Sequence, residues 1–266
     1  MKQKCDVAAR RTDTLSGVTR GPHDGRERGD LRPGSARCQN QGMAEAIQFY
    51  FDPMCPYAYQ TSVWIRDVRD RVGLDITWRF FSLEEVNRVE GKRHPWERPW
   101  SYGWGQMRVG SLIRRELGND ELDRWYAAVG SAFFNDGSKT HVPEVHAELL
   151  RAQGFDPGLV ERAIADPGTI DDVRAEHDHA AAAYGAHGVP TIVFGSGYAV
   201  YGPVVVPAPA GDDATALWEL VRAMQRFPHL YELRHPKTHD DLVHVAQSFK
   251  TYLTTRDWNT VENPAP

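Results

Sequence analysis

The amino-acid sequence predicts an α/β fold: a strand–helix–strand opening, a long helical block, then a closing hairpin and helix. Three observations carry this. Ile47-Gln48-Phe49-Tyr50-Phe51 is a short apolar and aromatic run ended by Asp52-Pro53, and Ile76, Trp78 and Phe80 alternate with Thr77 and Arg79, so both stretches have strand character. Between about 84 and 185, apolar residues recur at helical intervals. Strand character then returns in Thr191-Ile192-Val193-Phe194 and Tyr198-Ala199-Val200-Tyr201, joined by the turn Gly195-Ser196-Gly197.

Taken in order, the first helix follows Cys55-Pro56, carries Val63, Trp64, Val68 and Val72 near helical spacing, and is stopped by Gly73. Strand 75–81 comes next. In the middle block Val109, Leu112, Ile113 and Leu117 form one helical pattern, and Leu122, Trp125, Tyr126 and Val129 form another. Val145 with Leu149, and Ile170 with Val173, suggest two or three further helices, punctuated at Gly118, Pro143, Gly154 to Pro157 and Pro167-Gly168. A last helix of about 213–227 carries Ala216, Leu217, Leu220, Val221 and Met224. The tail after His235 is polar, with weak helical character at 240–253, and no role is assigned to it. Residues 20–42 are rich in Gly, Arg, Asp and Ser and nearly free of apolar side chains, so 1–42 is expected to be a disordered extension, with Met43 the natural start.

Bulk properties exclude several classes of function. The chain has 266 residues and a formal net charge of −5, which gives no electrostatic footprint for nucleic acid or an anionic membrane. No apolar run approaches the ~18–20 residues needed to span a bilayer. The three cysteines Cys5, Cys38 and Cys55 form no paired spacing, which argues against a disulfide scaffold and a cysteine-based zinc site and favours a reducing, cytoplasmic setting.

Cys55 is the candidate reactive centre. A cysteine attacks as its thiolate, and a helix N-terminus favours that anion through unpaired backbone N–H groups and the helix dipole. Asp52-Pro53-Met54-Cys55-Pro56-Tyr57 is such a strand-to-helix junction, with Pro56 suited to the first helical turn. The bland alternative is a small buried hydrophobe. A second element is Gly188-Val189-Pro190-Thr191, where the proline marks a strand entry or a cis bond.

Together, Phe51-Asp52-Pro53-Met54-Cys55-Pro56, Thr61-Ser62-Val63-Trp64-Ile65, Val189-Pro190-Thr191-Ile192, Tyr201-Gly202-Pro203, Leu217-Trp218 and Pro228-His229-Leu230-Tyr231-Glu232-Leu233 resemble the thioredoxin superfamily. The resemblance is to the branch with a helical insertion, which holds DsbA-like oxidoreductases, kappa-class glutathione transferases and 2-hydroxychromene-2-carboxylate isomerases. More closely, the chain resembles the mycothiol-dependent nitroreductase family, over about Ile47 to Arg234.

The resemblance implies a thioredoxin-like fold in two parts, 43–83 and 186–235, interrupted by an all-helical insertion domain at 84–185; the C-terminal extension at 236–266 lies outside the resemblance. It implies a cis bond at Val189-Pro190 facing Cys55. It also implies a low-molecular-weight thiol, mycothiol by this family, as co-substrate. Val189 would contact that thiol's peptide-like part, with Pro190, Pro56 and Tyr57 beside it.

One departure limits the chemistry. Dithiol relatives carry Cys-x-x-Cys, and here the sequence is Cys55-Pro56-Tyr57-Ala58. No intramolecular disulfide can close, so a mixed disulfide resolved by a second thiol molecule remains. Tyr57 replaces the family's usual Trp.

Other signals are weaker. His94 to Trp104 holds Trp96, Trp100, Tyr102 and Trp104, expected mostly to pack, with one or two rings facing the pocket. His177-Asp178-His179 is expected to be solvated helix rather than a metal site, since i and i+2 do not share a helix face. Ser62 and Thr61 could hydrogen-bond near the active helix, but hydroxyls one turn into a helix more often satisfy backbone locally, which is the expectation here. Gly195-Ser196-Gly197 precedes a strand, so no nucleotide site is expected.

The leading expectation is a cytoplasmic monothiol oxidoreductase reducing small electrophiles, nitro compounds or mixed disulfides through Cys55. Its partners would be a small thiol and a small electrophile, without metal, nucleic acid or membrane, and a homodimer is compatible with the sequence. The alternatives are a transferase or isomerase in which Cys55 only polarises a bound thiol, and a redox-inert binding module whose mark would be a high Cys55 pKa.

Overall fold

The structure, a computed structural model, describes residues 44–255. The expectations for residues 1–42, Met43, Cys5 and Cys38 lie outside the described residues.

Strand β1 (Glu45–Phe51) leads through the Cys55 junction into α1 (Pro56–Val72) and returns as β2 (Leu74–Phe80). Helix α1 ends where Gly73 takes φ +77°, a left-handed conformation that glycine adopts without cost, and its N–H bonds Arg69 O. Helices α2 (Leu83–Val86), α3 (Tyr102–Leu117), α4 (Asn119–Gly130), α5 (Pro143–Ala152), α6 (Leu159–Ala165) and α7 (Gly168–Tyr184) follow. The hairpin β3 (Thr191–Phe194) and β4 (Ala199–Tyr201) and helix α8 (Asp212–Ala223) complete the α/β pattern.

The sheet order is β2-β1-β3-β4. β1 runs parallel to β2 with Phe49 opposite Trp78, and antiparallel to β3 with Tyr50 opposite Thr191. This topology positions the site. Because β3 runs against β1, the residues leaving β1 and those entering β3 lie at the same end of the sheet.

The outer edge of β2 is covered by helix side chains, which satisfy backbone groups no strand pairs. Asn119 accepts from Trp78 N at 3.0 Å and donates to Ile76 O at 2.8 Å. Glu176 of α7 accepts from Phe80 N at 2.8 Å and pairs with Arg79 and Arg114. Phe51 stacks on Tyr126 of α4 at 3.9 Å between ring centroids, so the helical block shares the sheet's core. On α1, Trp64 donates its indole N–H to Ala214 O at 3.0 Å and packs near Trp218 of α8.

Three expectations need correction. His177 is buried, not solvated: its Nδ1 accepts from Ser82 N at 3.2 Å and its ring lies on Phe81. Thr61 does not bond locally but reaches Pro203 O at 2.7 Å, whereas Ser62 does bond Tyr59 O locally at 2.7 Å. The tail after His235 is not without a role in the fold. It forms α9 (His239–Ser248) and α10 (Lys250–Thr255), and Phe249 and Tyr252 are buried in a second cluster with Met54, Tyr59, Phe133 and Phe134. The local sequence is polar, and its burial depends on partners more than a hundred residues away.

Candidate active site

The junction after β1 is built by Asp52. Its carboxyl accepts from Met54 N at 2.9 Å and Leu83 N at 2.8 Å, while its backbone carbonyl accepts from Cys55 N at 3.0 Å. This short Asx-type turn reverses the chain out of the strand. Gly103 packs against it so closely that a Cβ there would stand 2.2 Å from Asp52 Oδ1.

Cys55 is the N-cap of α1, with extended backbone, and Pro56 opens the first turn. The sulfur does what a capping oxygen does elsewhere: Cys55 Sγ accepts from Ala58 N at 3.4 Å. On its other side the thiol donates to Val189 O at 3.6 Å. The Val189-Pro190 peptide bond is cis, and Gly202 N bonds Pro190 O at 2.8 Å, tying the loop to the end of β4. The bond from Thr61 to Pro203 fixes the next stretch of that loop to α1.

Of the candidate residues, Cys55, Pro56 and Val189-Pro190 therefore converge, from two segments 134 residues apart. Tyr57 is half-buried beside them, with Phe249 edge-on to its ring at 5.0 Å. Tyr201, half-exposed, lies over Gly188 and against His187, within electrostatic reach of Cys55, Tyr57 and Arg234. Of the aromatic run, Trp104 is buried, and Trp100 donates to His141 O at 2.7 Å, which is packing. Tyr102 reaches the second cluster, and Gln106 Nε2 lies 3.1 Å from Met54 Sδ. Among the described residues, no three His, Cys, Asp or Glu side chains gather as a metal site.

The electrostatics correct the expectation of a ready thiolate. Cys55 is 6% exposed. Burial pushes its thiol up to about 12; the Ala58 and Tyr57 N–H groups lower it, and Asp52 raises it. The helix terminus is present, as foreseen, but desolvation of the anion outweighs it. Asp52 is pushed up to about 7 by burial, against the two N–H bonds that favour its charged form.

Asp52, Phe249 and Tyr252 are the residues that sequence reading missed here, and Thr61 was expected to bond locally instead. For Asp52 a signal existed, an aspartate placed two residues before an N–H it could bond. The others act through partners distant in sequence.

A family model described as the mycothiol-dependent nitroreductase Rv2466c matches residues 54–235, which include Cys55 and Val189-Pro190. Protein Rv2286c of Mycobacterium tuberculosis (strain ATCC 25618 / H37Rv) is 51% identical over 215 residues, 81% of this chain and 92% of that one. A solved 2-hydroxychromene-2-carboxylate isomerase is 18% identical with a TM-score of 0.50, covering 68% of this chain and 95% of the other. A probable DsbA oxidoreductase from Streptomyces coelicolor is 19% identical with a TM-score of 0.48, covering 73% and 94%. The fold is thus mixed α/β and thioredoxin-like, with a helical block between β2 and β3. With the matched span holding both halves of the site and a 51% identical relative covering most of its length, the chain belongs to the Rv2466c-like family of mycothiol-dependent nitroreductases.

Proposed function

We propose that the protein is a monothiol, low-molecular-weight-thiol-dependent oxidoreductase acting through Cys55 in a reducing cytoplasm, with mycothiol as its thiol. The observation that carries this is the juxtaposition of Cys55 Sγ, at a helix N-terminus, with the carbonyl of Val189 at 3.6 Å, with Ala58 where a resolving sulfur would stand. The Cys55 thiolate attacks one sulfur of a disulfide RS–SR, forming Cys55–S–SR and expelling RS⁻. A second thiolate R′S⁻ then attacks the R sulfur, releasing RS–SR′ and regenerating the Cys55 thiolate. The proton lost from Cys55 ends on the expelled thiolate. Pro56 and Tyr57 would flank the bound thiol, and Val189-Pro190 would align its amide backbone once the bond from Cys55 to Val189 O opens. Mixed disulfides of small thiols are the substrates this cycle serves.

The experiment is mass spectrometry of the protein after mixing with mycothiol disulfide and, separately, glutathione disulfide. A mycothiol adduct on the Cys55 peptide, absent in Cys55→Ser, is the expected result, and no adduct from either disulfide would overturn the proposal. A second reading has its own support in the high thiol pKa. A thiol transferase or isomerase would keep Cys55 protonated and use it only as a hydrogen-bond donor to a bound thiol. That reading predicts catalysis without any adduct. The same high thiol pKa is the mark of a redox-inert binding module, which would show neither catalysis nor adduct.

A further inference from the structure

We propose that α9 and α10 form a reversible cover over Cys55, docked by two aromatic rings and hung on an exposed tether. Cys55 is 6% exposed as a residue, and attack on a disulfide needs an open line to its sulfur.

The cover is attached lightly. Every residue from 226 to 240 is exposed, so nothing along the tether buries it against the body. Helix α9 has no buried residue, and α10 has Tyr252 alone. Phe249, between them, and Tyr252 are 6% and 9% exposed. Phe249 sits edge-on to Tyr57, and Tyr252 lies 5.7 Å from Phe133 and 5.5 Å from Phe134. Tyr57 packs against both clusters and is the shared wall between these rings and Cys55. A polar contact across the seam is His244 Nε2 with Val206 O at 3.1 Å.

A segment with so few buried side chains opens locally, well below the free energy of global unfolding. The family match stops at residue 235, before α9 begins, so the cover is an addition to the part the family model describes. Its lifting would uncover the side of Tyr57 on which Phe249 rests, and Tyr57 packs against the cluster that holds Cys55.

The test follows iodoacetamide alkylation of the full chain, read at the Cys55 peptide by mass spectrometry, across urea concentrations below the unfolding transition. Wild type should label with a urea slope much smaller than that of global unfolding, and Phe249→Ala/Tyr252→Ala should label at least tenfold faster with an equally small slope. Labelling that follows the global slope in either protein, or a double variant no faster than wild type, would overturn the cover. Because the probe is an alkylating agent, its failure is separable from any failure of the thiol–disulfide cycle.

Discussion

At the scale of single residues, Cys55 is held by two opposing influences. The helix terminus and the Ala58 N–H favour the anion, and burial, with Asp52 beside it, favours the neutral thiol. Burial wins in the covered state. The cysteine, the proline after it and the Val189-Pro190 loop were legible because each is a local signal, a breaker or a cap read within a few residues. The balance was not legible, because it depends on what lies across the sulfur. In the proposed cycle, Ala58 decides the route by which a mixed disulfide resolves. Its N–H already points at Cys55 Sγ from 3.4 Å, so a side chain at 58 lies on the turn that faces the sulfur. Ala58→Cys should therefore close an intramolecular disulfide on oxidation. In the peptide spanning 55–58, mass spectrometry should find the loss of two hydrogens in place of a thiol adduct. A persistent adduct on the variant would show that the helix turn holds the two sulfurs apart.

At the scale of elements, two points on α1 can be tested separately. Thr61 joins α1 to the loop after β4 through its 2.7 Å bond to Pro203 O. Thr61→Val removes the donor and leaves a carbonyl unpaired, at a cost of about 1–2 kcal/mol. The urea midpoint should fall with an unchanged m-value. Gly73→Ala places a Cβ where φ is +77° but nothing lies within 4 Å, so it should cost about 1 kcal/mol of left-handed strain and leave Cys55 reactivity unaltered. A change in labelling at Cys55 in Gly73→Ala would contradict this separation. Elements of strong periodicity were legible: β1, α1 and β2, the helices carrying Val109 and Leu122, and the hairpin all lie where the pattern places them. α9 and α10 were read only as weak helix, because their burial rests on Phe249 and Tyr252 meeting Tyr57 and Phe133–Phe134. Two aromatic residues in a polar stretch carry no periodicity. Thr61 was misread for the same reason, since its acceptor lies 142 residues along the chain.

At the scale of the whole molecule, two buried groups set opposing pH dependences of stability. Asp52 is raised from 3.8 to about 7 in the folded state, chiefly by burial. Between those values the folded protein binds the extra proton, so Asp52 makes stability fall as pH rises. His146 is lowered from 6.5 to about 4, again by burial. Its neutral ring is fully used, with Nδ1 donating to Thr140 O at 3.0 Å and Nε2 accepting from Trp125 at 3.1 Å. Between about pH 4 and 6.5 the unfolded state binds that proton, so His146 makes stability rise with pH, and it is lost as pH falls. His177, lowered in the same direction, adds to this. Each fully linked proton contributes a slope of about 1.4 kcal/mol per pH unit, and across this window Asp52 and His146 have opposite signs. The wild-type chain should therefore be less sensitive to mild acid than its buried histidines alone would make it. Asp52→Asn removes the falling contribution whatever it does to absolute stability. Urea midpoints at pH 4.5, 5.5 and 6.5 should rise more steeply with pH in Asp52→Asn than in wild type, by up to about 1.4 kcal/mol per unit once multiplied by the m-value. Parallel curves for the two proteins would mean that Asp52 is ionised in the fold, and the carboxyl would then be acting on Cys55 as a fixed negative charge.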